Sequence, residues 1–288
     1  MNPPTPREPG EPGADGEKLT LYCLAHAGGS AMPYSRWNAI VPPSVTVTPL
    51  ELPGHGARIR EPLMRRADLL AAELVRTMRP HRGERFALFG HSFGAVLAYE
   101  LARRLDQLGL PPAALLVSGR NGPGEPLSHR PIHKLPDDAF ITALNRYGGM
   151  PQALLDQPEL LRMYLPALRA DLEIVETYTR PAGPPLDVPL VAFGGRRDSL
   201  TDPAGLVAWE RETSRAFELA LIPGGHFFLE EPDFREALTS RLSRLVAAAP
   251  AAAGSGAAGS GTAGAGSVAE PARAADLRAR RVVASSRE

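Results

Sequence analysis

The sequence predicts an α/β fold, a mostly parallel central sheet flanked by helices, with a helical lid inserted between two strands. Three observations predict it. Short apolar runs bounded by Gly or Pro alternate with amphipathic helical patterns across residues 18–249. Hydrophobic residues make up 43% of the 288, enough to fill a sizeable core. One long stretch, about residues 120–189, carries helical patterns but no core strand.

Residues 19–25 (LTLYCLA), 45–50, 86–90, 113–118, 190–193 and 217–222 are apolar or alternating, and are predicted as strands. Residues 65–78, 95–108, 204–215 and 233–248 place apolar side chains at three- and four-residue spacing, as amphipathic helices do. Strand-helix-strand alternation implies a parallel sheet covered on both faces. Within 120–189, Pro136-Asp137-Asp138 and Pro158-Glu159-Leu160 open helices. Residues 161–178 read as helical, with Pro166 expected to kink or divide them. A helical insertion between sheet strands is expected to form a lid over a site.

Both ends are expected to be disordered. Residues 1–17 hold five prolines and four acids. Residues 250–288 begin as an Ala/Gly/Ser tract that cannot bury enough surface to offset its ordering entropy. The last part carries Arg273, Arg278, Arg280, Arg281 and Arg287, and reads as a solvated tail, with a short basic helix as the alternative. The start lacks the basic and apolar regions of a signal peptide, and together with Met1 it suggests a separate polypeptide. No apolar run approaches the ~18 residues of a membrane span. The formal net charge is zero, which gives no electrostatic case for nucleic acid or an anionic membrane. A single cysteine, Cys23, excludes an intramolecular disulfide and fits a cytoplasmic location. It reads as a small core residue.

The chemistry is concentrated in Gly90-His91-Ser92-Phe93-Gly94, between a strand pattern and a helix pattern. That context gives a G-x-S-x-G sequence its meaning: a tight turn lifts the serine hydroxyl above the sheet. The helix start then places backbone N–H groups where an oxyanion develops. Ser92 is therefore the candidate nucleophile. A serine hydroxyl needs a base, and in this turn type the acid and then the histidine follow along the chain. His226, in Gly224-Gly225-His226 directly after residues 217–222, is the candidate base, whereas His129 and His133 read as surface residues of the lid. Asp198 follows residues 190–193 at the ligand-facing strand ends and is the candidate orienting acid. Its competitor Asp202, before Pro203, looks like a helix cap. The oxyanion donors are the N–H of Phe93 and, from His26-Ala27-Gly28-Gly29-Ser30, the N–H of Ala27. His26 is assigned an orienting role. His91 also fits the G-H-S-x-G of malonyl-type transferases, but those use a Ser-His pair without the strand-end acid, so a structural role is expected here. No metal or phosphate-binding spacing is present, and no cofactor is expected.

With these motifs the chain resembles the type II thioesterases, the stand-alone editing enzymes of polyketide synthases and nonribosomal peptide synthetases. The matching stretches include the 26–30 loop, Glu51-Leu52-Pro53-Gly54-His55-Gly56, the Ser92 turn, Leu135-Pro136-Asp137-Asp138, Arg169-Ala170-Asp171, and the Asp198 and His226 loops. The resemblance covers about residues 19–246. It implies an α/β-hydrolase core with a helical lid, and hydrolysis of acyl groups from the phosphopantetheine arm of an acyl or peptidyl carrier protein. It also supports Ser92, Asp198 and His226 as the triad and Ala27 and Phe93 as oxyanion donors. His55 departs from it, since the family often has arginine there. The rival functions are a general carboxylesterase or lipase, a chain-releasing terminal thioesterase, and a binding module that has lost catalysis.

Overall fold

The computed structural model describes residues 18–80, 83–146, 157–248 and 280–284. The expected disorder of 1–17 and of most of 250–288 therefore falls outside the described residues.

Six predicted strands form: β1 (Leu19–Leu24), β2 (Val45–Pro49), β3 (Phe86–His91), β4 (Ala114–Ser118), β5 (Leu190–Gly195) and β6 (Phe217–Ile222). They pair in parallel in the order β2-β1-β3-β4-β5-β6. A seventh, β7 (Arg280–Ala284), pairs in parallel with β6. This segment was expected within a flexible tail or a basic helix. Two adjacent valines give it β-propensity, and the open backbone groups of β6 supply the template.

Side chains alternate across the sheet because the strand period is two. On β3, Phe86 and Leu88 join the core on one face, while Ala87 and Phe89 join the other. The first face is covered by α1 (Ala67–Met78) and α2 (Phe93–Gln107), through Leu70, Leu74, Leu97 and Leu101. The second is covered by a 3₁₀ helix at Met32–Ala39 and by α6 (Pro232–Ala247), through Trp37, Phe234, Leu238 and Leu242. Truncating any one of these buried leucines or aromatics costs about 2–5 kcal/mol.

Between β4 and β5 lie α3 (Asp137–Arg146) and α4 (Pro158–Thr177). They share a separate apolar cluster of Ile132, Phe140, Leu144, Leu161, Leu165 and Leu168, the core of the lid. Pro166 does not divide α4: the helix runs through it, with Pro166 on its exposed side. The predicted helix 204–215 is instead α5 (Pro203–Val207) followed by a 3₁₀ turn, Ala208–Glu212. Tertiary anchors set this tighter path. Trp209 Nε1–H donates to the Arg120 carbonyl at 2.7 Å, and Glu212 is held by Arg180 at 2.7 Å.

β1 leads to β2 on one side of the sheet, and β3 leads to β4 on the other. The crevice above the strand C-termini at this reversal is where open α/β sheets bind ligands.

Candidate active site

Each candidate side chain lies just past the C-terminal end of a strand: Ala27 after β1, Ser92 after β3, Asp198 after β5 and His226 after β6. Ser92 sits between β3 and α2 at φ 57° and ψ −112°, a conformation that side-chain-bearing residues rarely adopt. Its N–H donates to the Ser118 carbonyl of the neighbouring strand at 2.7 Å, which anchors the turn. The flanking glycines are required by close approach. A Cβ at Gly90 would lie 2.0 Å from the Gly94 carbonyl oxygen, and one at Gly94 2.3 Å from that of Leu24.

His226 Nε2 lies 3.0 Å from Ser92 Oγ, and its Nδ1 lies 2.9 Å from Asp198 Oδ2. With a carboxylate beside Nδ1, that nitrogen carries the proton and Nε2 is left as the acceptor facing the hydroxyl. Asp198 is itself fixed: Oδ1 accepts the Leu200 N–H at 2.9 Å, and Oδ2 accepts the Thr201 hydroxyl at 3.1 Å. Asp202 instead caps α5, accepting the Gly205 N–H at 2.9 Å.

The oxyanion side is equally ordered. Phe93 is the first residue of α2, so its N–H has no acceptor within the helix. In the loop after β1, the Gly28 N–H donates to Asp171 Oδ2 at 2.7 Å and the Gly29 N–H to the His26 carbonyl at 2.9 Å. Of these three successive amides, only that of Ala27 has no hydrogen bond among the described residues. His26 Nδ1 lies 3.0 Å from the Ala27 carbonyl, the orienting contact expected of it.

His26, Ala27, Ser92, His226 and Phe227 meet the lid residues Ile132, Leu144, Leu168 and Leu172 around a cavity of about 60 Å³. A larger cleft of about 420 Å³ lies between Arg65, Glu100 and Tyr178, and neither Ser92 nor His226 lines it. Site geometry, rather than pocket size, marks the chemistry. His129 also lines the small cavity, and the His133 ring pairs with the buried Glu176 carboxylate. Neither is the simple surface residue expected. Glu176 also accepts the N–H groups of Ile132 at 2.8 Å and His133 at 3.0 Å, pinning the loop before α3 to α4.

His91 is fully buried beneath the turn, with Nδ1 3.0 Å from Ser118 Oγ. Burial, reinforced by His226 and His26, pushes its pKa well below the usual imidazole range. Burial also lowers the His26 pKa. Two rings held neutral by burial therefore neighbour His226. Burial raises the Cys23 thiol well above its ordinary value, which leaves it inert in the core. Among the described residues no cluster of His, Cys, Asp and Glu could hold a metal ion, and no helix is long and apolar enough to cross a membrane.

Comparison with known proteins places the chain in a family. A family model described as a thioesterase domain matches residues 19–246. The chain is 39% identical over 220 residues to the thioesterase PikA5 of Streptomyces venezuelae, covering 76% of this chain and 78% of that one. It is similar to the structure of the RedJ thioesterase from the prodiginine biosynthetic pathway of Streptomyces coelicolor, with 35% identity and a TM-score of 0.72 over 85% of this chain and 91% of that one. The type II thioesterase BorB, from the borrelidin biosynthetic cluster, matches at 36% identity and a TM-score of 0.71, over 83% and 95% of the two chains. The chain thus belongs to the thioesterase family, with type II thioesterases of biosynthetic pathways among its relatives, and is a serine hydrolase of α/β-hydrolase fold that acts on thioesters.

Proposed function

We propose that this protein is a stand-alone editing enzyme that hydrolyses acyl groups from the phosphopantetheine arm of acyl or peptidyl carrier protein domains in polyketide or nonribosomal peptide biosynthesis. It works in the cytoplasm without a cofactor. The observation that carries the catalytic assignment is the relay from Ser92 Oγ to His226 Nε2 at 3.0 Å and from His226 Nδ1 to Asp198 Oδ2 at 2.9 Å. The carrier-bound substrate is favoured by the kinship with type II thioesterases.

Catalysis runs in two half-reactions. Ser92 Oγ attacks the thioester carbonyl carbon while His226 Nε2 takes the hydroxyl proton. The carbonyl electrons move to oxygen, and the anion is held by the N–H groups of Phe93 and Ala27. The C–S bond then breaks, His226 returns the proton to the leaving sulfur, and acyl-Ser92 remains. Water gives a proton to His226 and attacks the ester carbonyl. Collapse of the second tetrahedral anion breaks the bond to Ser92 Oγ, which recovers its proton from His226 as the free acid leaves. Asp198 holds the ring tautomer and stabilises the imidazolium in both halves.

Incubating the protein with a carrier protein loaded with a labelled acyl group tests this reading. The wild type is expected to release free acid faster than it cleaves a small oxygen ester of the same acyl group, and Ser92→Ala to release almost none, a loss on the order of 10⁶ in kcat. Ser92→Ala release at the wild-type rate would defeat the catalytic assignment. Equal wild-type rates on the free ester and the loaded carrier would favour a general carboxylesterase.

A further inference from the structure

The peptide unit joining Ala27 to Gly28 is gripped at both ends. Its carbonyl faces His26 Nδ1 at 3.0 Å, and its N–H donates to Asp171 Oδ2 at 2.7 Å. Asp171 belongs to α4, the lid helix, and is only 1% exposed. The same Oδ2 lies 2.9 Å from Nε2 of His55, which is 4% exposed, and His55 Nδ1 lies 3.0 Å from the Pro53 carbonyl. Both ring nitrogens of His55 thus face acceptors. A neutral imidazole has one N–H and can satisfy only one of them, whereas an imidazolium satisfies both. The loop also abuts the lid directly, since a Cβ at Gly28 would fall 2.6 Å from Leu168 Cδ2.

We propose that Asp171 and His55 are positioning residues that tie the oxyanion loop to the lid helix, so that the Ala27 amide is held in place only while the lid is docked and His55 is charged. This rests on thioester hydrolysis through Ser92 with Ala27 as an oxyanion donor. The lid cannot lift off this loop without breaking the Gly28–Asp171 and His55–Asp171 contacts together. Loss of the His55 proton leaves a buried carboxylate without its counter-charge, a costly arrangement that weakens its grip on Gly28.

The charged groups around His55 favour the ionised pair. Asp171 faces it from α4. Glu51 faces it from the loop after β2, with its carboxylate accepting the Ala31 N–H at 3.1 Å and the Ala57 N–H at 3.3 Å. The neighbour of Asp171 on the other side is His26, kept neutral by burial. Burial by itself lowers the His55 pKa, but Asp171, the Pro53 carbonyl and Glu51 outweigh it, and the net shift is upward.

The test measures kcat and KM against pH for the full-length chain on an acyl-pantetheine thioester, with the thermal midpoint of each variant as the folding control. Asp171→Asn keeps the side-chain volume and an acceptor for Gly28 but removes the charge. It is expected to lower kcat by about 10- to 100-fold with KM within about twofold. Wild-type kcat is expected to fall at alkaline pH as His55 loses its proton. That limb should vanish in His55→Gln, with kcat low throughout, and should also vanish in His55→Arg, whose charge is permanent, with kcat sustained. A folded Asp171→Asn with wild-type kcat would overturn the proposal, as would a wild-type alkaline limb that persists in both His55 variants. If the wild type itself fails to cleave the thioester, it is the hydrolase reading that has failed.

Discussion

His226 can serve as base and acid in turn because its two nitrogens face different partners. Asp198 fixes the Nδ1 proton, which leaves Nε2 free to exchange one with Ser92. Asp198→Asn should therefore lower kcat by about 10⁴, through the wrong tautomer rather than through lost folding. Asp202→Asn should leave kcat unchanged, because asparagine caps α5 about as well as aspartate. Steady-state kinetics on the pair checks both, and the reverse ranking would exchange their roles. At this scale Ser92, Asp198 and His226 were legible in the sequence, since each follows a strand pattern in the expected order. Asp171 was legible only as part of a family motif. Its partners Gly28 and His55 lie 143 and 116 residues away in the chain, and no local pattern reports a contact of that range.

At the scale of elements, the lid walls the cavity beside the Ser92 turn. α3 and α4 pack on each other through Phe140, Leu144, Leu161, Leu165 and Leu168, and Arg169 stacks over the Phe140 ring at 4.2 Å. Leu144 and Leu168 also bound the active-site cavity. The cavity they share with Ser92 and His226 has a volume of about 60 Å³. Leu144→Ala is expected to widen the cavity and shift the ratio of kcat/KM toward longer acyl chains by about 10-fold, at the scale a methylene or two carries in an apolar pocket. Comparing acetyl-, butyryl- and hexanoyl-pantetheine on both proteins measures it, and an unchanged ratio would mean that Leu144 does not set chain length. The lid's helices were visible in the sequence by their openings at Pro136 and Pro158. The continuity of α4 through Pro166 was not, because Pro166 lacks the N–H a helix interior uses, and the packing of Leu161, Leu165 and Leu168 in the lid core, a tertiary feature, spans that position.

At the scale of the whole molecule, the buried histidines couple stability to pH in opposite directions. His55 has a raised pKa when folded, so its contribution is fully present below the unfolded value near 6.5 and is lost as pH rises through the folded one. His91 and His26 have lowered values, so they leave stability unchanged above pH ~6.5 and oppose the fold as pH falls below it. Denaturant unfolding of wild type and His55→Gln across pH should give stability curves that are furthest apart below pH ~6.5 and converge on the alkaline side. A constant separation would show that His55 is not charged in the folded protein.

The sequence by itself determined the α/β architecture, the six main strands and the candidates for nucleophile, base and acid. Those features are written in local periodicity and in short motifs whose spacing the backbone enforces. Only the tertiary structure decided what holds the Ala27 loop, which side chains line the cavity beside Ser92, and that His129 lines that cavity while His133 pairs with the buried Glu176. It also decided that residues 280–284 extend the sheet. Each of these depends on residues distant in the chain meeting at one place, a property of packing that no local pattern carries.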